Sequence, residues 1–439
     1  MILVLGTYRS MLGRLRRSQS GNALIMVAAC MPVLVGAAGF AVDTANWTIW
    51  RRQLQREADS AAIAGAYAKL QGRDASAAVT SDLNRSNTLT LSAPAIVQTP
   101  PTVGGYTANA TAVRVALSVQ KRLPFSGSFM SSVPVISAAA TAAVIQNGDF
   151  CALALGGGSV TGITMQGSAS LSFNCDLATN SSNQSQAVIA GGSSSIAVGS
   201  VSAVGGLPAS SNFPSSTKLL PYSPPQRDPY GSIANPTPPA SCTNSTTVNP
   251  NQTVAFATTD SGGKGACYKG LNIKGTATFK PGTYYIDGGS FQAGSQANIS
   301  IDTSGVAAGG ETGVTFVLTS STAATTPSSI ATIDVNASAT LNLTASNQGT
   351  YKGILFYQDR RAPDSGANKV NGNASSKLQG SLYFPSQELD FNGTSGMVTD
   401  CLQLIGLRLT FTGNTSISNN CPAGSGSASW KGQQVRLVE

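Results

Sequence analysis

The residues best suited to chemistry in this 439-residue chain are its cysteines. Cys30 lies inside an apolar segment, which leaves six in regions of low charge. An even number in such a chain predicts disulfides, with pairing between sequence neighbours as the simplest arrangement and buried free thiols as the alternative. Each bond would close a loop of about 20 to 25 residues and stabilise the fold by about 3 kcal/mol. The predicted pairs are Cys151 with Cys175, Cys242 with Cys267, and Cys401 with Cys421.

Other kinds of chemistry find little support in the sequence. The chain has no histidine and no Cys-x-x-Cys motif, which argues against zinc, redox, Ser-His-Asp and Cys-His sites. We expect no cofactor and no metal. The closest pair of acids outside the N-terminal region is Glu388 and Asp390, whose spacing puts both on one face of a strand. A solvated strand face has the same appearance, so we interpret them as surface residues.

The net charge of +8 is concentrated near the N-terminus. Residues 1–73 hold nine Lys and Arg against three acids, which accounts for +6 of that charge. Basic residues clustered around an apolar segment are typical of contact with anionic lipid and of membrane topology. The sequence therefore favours a membrane over nucleic acid as the partner of these charges.

A transmembrane helix is predicted over residues 22–42. This stretch has no charged residue, and its 21 residues match the roughly 20 that a helix needs to cross a bilayer. Residues 1–21 form a short basic segment expected to be cytoplasmic, which places the C-terminal bulk outside the cytoplasm. A cleavable signal peptide is the alternative, although its apolar core normally runs only about 7 to 15 residues.

Residues 43–72 predict an amphipathic helix that continues the membrane helix without a break. Trp47 and Trp50 fall where an aromatic belt would meet the lipid headgroups. Small residues recur at every fourth position, a pattern that permits close helix packing but also reflects the high helix propensity of alanine. The candidates for helix packing are Ala37, Ala41, Ala45, Ala58, Ala62 and Ala66.

The N-terminal region resembles the TadG-like assembly proteins of Flp (tight-adherence) pili. The resemblance rests on the basic Arg16-Arg17, on Gly21-Asn22 and Pro32, on GFAVD at Gly39–Asp43, and on the alanine-rich Gln53–Ala66. Related pilins carry a glutamate five residues after a processed glycine, where this chain has Met26. The resemblance therefore implies an assembly or anchoring role and not that of a filament subunit.

The remainder of the chain reads as β structure. Residues 73–146 predict a small β-containing domain. Residues 147–439 repeat short alternating strands between Gly, Ser and Asn turns, which favours a right-handed β-helix, with a β-sandwich array as the alternative. The Pro-rich residues 211–240 are predicted to form a surface excursion or linker.

Together these features predict a non-enzymatic, single-pass component of the bacterial inner membrane that acts in Flp/Tad pilus biogenesis. Its expected partners are the inner membrane and other pilus or envelope proteins, and its exported bulk would be periplasmic or extracellular. One alternative is a surface adhesin or minor pilus-associated subunit. The other is a membrane-tethered, polysaccharide-active β-helix enzyme that uses paired carboxylates.

Overall fold

The computed structural model describes residues 19–86, 88–258, 266–371, 373, 375–393, 397–399, 401–414, 416–419 and 430–439. The chain forms two compact units, Met1–Ile145 with Val435–Glu439, and Gln146–Gln434. The basic residues of the predicted cytoplasmic segment up to Arg17, and also Cys421, lie outside the described residues. One apolar N-terminal helix followed by a mainly β region is confirmed.

The first unit is built on one long helix. In its sheet β2 pairs antiparallel with both β1 and β3. Alternate residues of β2 are buried, as the sequence VRVALSV requires for a strand with one covered face. Its elements are α1 (Gln19–Leu70), α2 (Ala75–Ser86), β1 (Ile96–Gln98), β2 (Val113–Val119), α3 (Ser126–Phe129) and the first part of β3 (Ile136–Ala154).

Local signals in the sequence end the long helix and start the next one. Gly72 adopts a left-handed φ of 69°, a conformation that glycine reaches without steric cost just after a helix end. Asp74 then accepts a hydrogen bond from the backbone N–H of Ser76 at 2.9 Å, which caps the start of α2. The two helices are therefore joined by a tight turn.

The second unit consists of strands, most of them short. In chain order they are the end of β3, then β4 (Ile163–Met165), β5 (Ser170–Phe173), β6 (Asp176–Thr179), β7 (Val188–Ala190), β8 (Ser195–Ala197), β9 (Ser200–Ala203), β10 (Lys218–Leu220), β11 (Thr246–Val248), β12 (Thr253–Phe256), β13 (Ala266–Tyr268), β14 (Leu271–Ile273), β15 (Thr276–Phe279), β16 (Gly282–Asp287), β17 (Ser290–Ala293), β18 (Asn298–Ile301), β19 (Val314–Thr319), β20 (Thr332–Val335), β21 (Thr340–Thr344), β22 (Ile354–Gln358), β23 (Ala367–Val370), β24 (Lys377–Gly393), β25 (Met397–Thr399), β26 (Cys401–Gly413), β27 (Ser416–Asn419) and the first part of β28 (Trp430–Leu437). The residues of β28 from Val435 onward belong to the first unit.

Most strands from β3 to β21 pair in parallel with the strand three places further along the chain. This rule gives three columns of stacked strands, β11-β14-β17-β20-β23, β12-β15-β18-β21 and β13-β16-β19-β22. The long strand β24 then pairs with β21, β22 and β23, and β26 stacks on β24. The chain thus returns to the same column after every third strand.

The order of the stack differs from the order of the chain. Strand β26 pairs in parallel with β24 on one side and with β3 and β4 on the other. Strands β6 and β9 continue from β3, β7 continues from β4, and β27 pairs with β5. The segment from β3 to β9 therefore extends the stack beyond β26, although it precedes β26 in sequence.

Aromatic and aliphatic side chains of successive strands fill the inside of the stack. Phe316 of β19 is aligned with Phe356 of β22, and their rings stack with centroids 5.0 Å apart. Phe316 also meets the ring of Phe279 edge-on at 5.1 Å. These rings are fully buried, and aromatic pairs of this kind stabilise a core by about 0.5–1.5 kcal/mol each beyond their buried area.

The Pro-rich segment, residues 211–240, packs along the outside of the third column. Its Asp228 carboxylate accepts a hydrogen bond from the Tyr383 hydroxyl at 2.7 Å, and the hydroxyls of Tyr230 and Ser381 lie 2.6 Å apart. Arg360 donates to the backbone oxygen of Gly231 at 2.8 Å. The expected surface segment is therefore attached to the stack by side-chain contacts.

This attachment explains why some strands are buried on both faces. In β19 and β22 all residues are buried, because one face lines the inside of the stack and the other lies among Tyr351, Tyr357 and Tyr383, with Tyr230 packed against them. Burial, together with the hydrogen bond to Asp228, raises the pKa of Tyr383. A nearly continuous apolar run such as VTFVLT is typical of a strand covered on both sides.

Two predicted neighbour pairs of cysteines form disulfides, Cys151–Cys175 and Cys242–Cys267, with sequence separations of 24 and 25. Cys401 is also disulfide-bonded. Its predicted partner, Cys421, lies outside the described residues, so this pairing stays a prediction.

We expect Tyr230→Ala to loosen the Pro-rich segment. The variant loses the hydrogen bond between the hydroxyls of Tyr230 and Ser381, and also the edge-on ring contact with Tyr383, whose centroid is 5.4 Å away. Together these two interactions are worth about 1–3 kcal/mol. Hydrogen exchange of the purified full chain should show faster exchange of the backbone amides around Gln226–Ile233. The matched control is Tyr222→Ala, because the Tyr222 side chain is 70% exposed. Equal exchange in both variants would contradict the assigned packing.

Mass-spectrometric mapping of the unreduced full chain should recover a cross-linked peptide that joins Cys401 to Cys421. The same digest should contain the Cys151–Cys175 and Cys242–Cys267 links, which serve as internal controls. Recovery of Cys421 as a free thiol would disprove the neighbour rule at this site.

Candidate functional site

The first half of α1 exposes large apolar side chains. Eight of them between Met26 and Val42 are 54–70% exposed, although burial of such groups is the main driving force of folding in water. Within the described part of the chain, α1 is the helix that is long and apolar enough to cross a membrane. The eight exposed apolar residues are Met26, Val27, Met31, Val33, Leu34, Val35, Phe40 and Val42.

The second half of α1 packs into the first unit. Leu54, Ala58, Ala62 and Ala66 are fully buried in one core with side chains of α2 and β2. Small side chains let these elements approach closely: a Cβ atom added to Gly65 would lie 2.8 Å from Cγ1 of Val113. Half of the predicted helix-packing set therefore packs inside the chain's own domain.

The other half of that set has a different environment. Ala37, Ala41 and Ala45 are exposed along the part of α1 that carries the exposed apolar side chains. Phe40 lies near the end of this stretch and Trp47 just beyond it, and their rings meet edge-on with centroids 6.2 Å apart. The packing surface of α1 thus changes from exposed to buried between Ala45 and Leu54.

A loop of the first unit contacts α1 where the apolar stretch ends. The ring of Phe125 lies over Gly39, so closely that a Cβ atom at residue 39 would clash with it. One turn further on, the Asp43 carboxylate accepts a hydrogen bond from the backbone N–H of Ser126 at 2.5 Å. Asp43 is fully buried, and its second oxygen, Oδ1, has no hydrogen-bond partner among the described residues.

A second buried acid lies further along α1. Glu57 is only 5% exposed, and its Oε1 accepts hydrogen bonds from the backbone N–H and the hydroxyl of Thr88 at 3.2 and 3.3 Å. A buried carboxylate is costly unless hydrogen bonds compensate for lost hydration. Glu57 therefore ties the segment after α2 to the long helix.

The predicted acid pair occupies one outer face of β24. Glu388 accepts a hydrogen bond from the Thr410 hydroxyl at 2.5 Å and lies 3.6 Å from Nε of Arg408. Burial, reinforced by the charge of Glu388, raises the pKa of Asp390. Glu388 and Asp390 are thus neighbours on one face, but the carboxylate of Glu388 is engaged by Thr410 and Arg408, whereas Asp390 is affected mainly by burial.

Cys242, Cys267 and Asp287 form the cluster of metal-ligand atoms found among the described residues. The two sulfur atoms are joined in a disulfide, which leaves no thiolate to bind a metal. Asp287 instead forms an ion pair with Lys269 at 2.6 Å. This cluster therefore has a structural explanation.

Nearly all of the long helix α1 is similar to a known protein family. Residues 21–68 match the family model described as Putative Flp pilus-assembly TadE/G-like. The N-terminal module is TadE/G-like. The match covers both the exposed and the buried halves of α1, confirms the resemblance derived from the sequence, and supports involvement in pilus biogenesis. No significant match is found among curated proteins or among solved structures.

The contact between α1 and the loop near Phe125 was not predicted from the sequence. Its signal was present in the motif GFAVD, where Gly39 and Asp43 are four residues apart and hence on one face of a helix. A small residue and an acid on one face indicate a place where another segment approaches. The identity of that segment, near Phe125, depends on a contact more than 80 residues away in sequence.

Substitutions in the two alanine groups should differ in their effect on the stability of the first unit. Ala62→Leu forces three extra carbon atoms into a filled core and should destabilise the unit by about 1–3 kcal/mol. Ala45→Leu adds the same atoms at an exposed position and should leave the unfolding free energy almost unchanged. Denaturant titration of the full chain in detergent tests both. Equal stability of the two variants would contradict the assigned packing of Ala62.

Proposed function

We propose that the chain is a non-enzymatic component of Flp/Tad pilus biogenesis that anchors or scaffolds other parts in the inner membrane and periplasm. The observation that carries the proposal is the TadE/G-like match over residues 21–68, which coincides with a helix that exposes its apolar half. In this proposal residues 22–42 span the membrane, the basic N-terminus is cytoplasmic, and the chain from residue 43 onward is outside the cytoplasm. The disulfides agree with an oxidising compartment.

We also propose that the second unit is a right-handed β-helix that serves as a rigid spacer or binding surface in the envelope. Parallel pairing at every third strand and a continuous core support this assignment. Other pilus or envelope proteins are the partners that the family match implies.

The enzymatic alternative has one observation in its favour, the raised pKa of Asp390 beside Glu388. Against it, Glu388 is engaged by Thr410 and Arg408. The full chain should therefore release no reducing ends or unsaturated products from acidic polysaccharides. If the full chain does degrade such a polysaccharide, and if Glu388→Gln and Asp390→Asn each abolish this activity, the enzymatic alternative would replace the scaffold proposal.

The proposed function is tested by deletion of the gene, followed by counts of Flp-type pili by electron microscopy. We expect pili to be lost and to return with the full chain. Unchanged piliation in the deletion strain would contradict a role in pilus biogenesis.

A second complementing chain separates the role of the β unit from that of the anchor. Residues 147–434 should be replaced by a short flexible linker, with residues 435–439 kept. The C-terminal residues belong to the first unit, where the backbone N–H of Thr141 donates to the oxygen of Glu439 at 2.7 Å. If the β unit is needed, this variant should not restore the pili.

Protease treatment of intact cells distinguishes a periplasmic scaffold from a surface adhesin. A periplasmic scaffold should be protected, whereas a surface adhesin should be cleaved.

A further inference from the structure

The loop over residues 121–134 combines exposed apolar and basic side chains. Phe125 and Met130 are each 38% exposed, and Lys121 and Arg122 are exposed beside them. The loop is ordered internally, since Gln120 donates to the backbone oxygen of Val133 at 2.9 Å and the N–H of Met130 donates to Ser126 at 2.8 Å. Its exposed apolar groups therefore belong to a defined surface.

The contacts of this loop with α1 fix its position along the helix. Phe125 lies over Gly39, which is three residues before Val42, the last residue of the uncharged stretch. At 1.5 Å per residue, Gly39 lies about 4.5 Å inside the end of that stretch. If α1 spans the membrane, the loop is at the level where acyl chains meet headgroups.

The chemistry of the loop suits that level. Aromatic and other apolar side chains enter the boundary between headgroups and acyl chains, while Lys and Arg bind anionic headgroups. The loop also covers Asp43, whose buried carboxylate accepts a hydrogen bond from the Ser126 N–H. A carboxylate left open to the edge of the hydrocarbon would be costly.

We propose that residues 121–134 are a second membrane contact, which inserts Phe125 and Met130 into the outer boundary of the bilayer that holds α1. Asp43 acts as a positioning residue that fixes the loop to the helix. The inference rests on the proposed membrane anchoring. With two attachment points, the first unit has a fixed orientation at the membrane surface.

Depth-dependent fluorescence quenching tests the loop contact. The full chain with Cys30→Ala would carry an environment-sensitive dye on a single introduced cysteine and be reconstituted into vesicles of phosphatidylcholine and phosphatidylglycerol. Met130→Cys reports the loop and Met31→Cys the span. Thr80→Cys is the solvent control, because Thr80 is exposed and its neighbour Val79 packs near Gly65 of α1, about 35 Å along the helix beyond Val42.

We expect blue-shifted emission at residue 130 and quenching by nitroxides near the headgroups, with no quenching at residue 80. Deep nitroxides should quench residue 31. If residue 31 is quenched but residue 130 behaves like residue 80, the loop proposal is overturned while the anchoring stands. If residue 31 is not quenched, the membrane anchoring fails and the loop proposal with it.

The role of Asp43 has a separate readout. Asp43→Ala should reduce quenching at residue 130 and leave quenching at residue 31 unchanged, because the span itself is intact. Asp43→Asn keeps an oxygen that can accept from the Ser126 N–H and should restore much of the signal. Unchanged quenching at residue 130 in Asp43→Ala would overturn the positioning role.

Discussion

One uninterrupted helix has to satisfy two different environments, and the first unit is organised around that constraint. Up to Val42 the helix exposes large apolar side chains, whereas from Leu54 it is packed against α2 and β2. Because α1 runs from Gln19 to Leu70 as one element, neither half can reorient without the other. The residues between the two halves therefore carry the special contacts, Gly39 with Phe125 and Asp43 with Ser126.

The second unit obeys a constraint of its own, the place of β26 in the middle of the stack. Strands from both earlier regions of the chain pair with β26, so the stack is complete only when the last long strand is in place. The Pro-rich segment connects the two regions by running along the outer face of the third column. Its contacts with Tyr383 and Arg360 cover the outer face of that column. The strands of the third column therefore contribute to one core inside the stack and to a second core beneath the Pro-rich segment.

The sequence predicts the elements better than their arrangement. The absence of charge in residues 22–42 and the helical spacing beyond them predict α1, and alternation predicts short strands such as β2. The order of the stack was beyond prediction, because a strand such as Ser170–Phe173 has a pattern that fits many parallel neighbours and carries no register of its own. The exposed and the buried alanines recur at the same four-residue spacing, so the sequence does not distinguish the two groups. Ala58, Ala62 and Ala66 are known to be internal only from the tertiary structure, where they share a core with Val79 and Val113.

The central proposal is that α1 crosses the inner membrane and that the chain from residue 43 onward lies on the outer side. Labelling of intact spheroplasts with a membrane-impermeant maleimide tests it most directly, using native Cys30 in one chain and Thr80→Cys with Cys30→Ala in another. The account predicts that residue 80 reacts without detergent, whereas Cys30 reacts only after the membrane is dissolved. Reaction of Cys30 in intact spheroplasts, or protection of residue 80 until lysis, would contradict it.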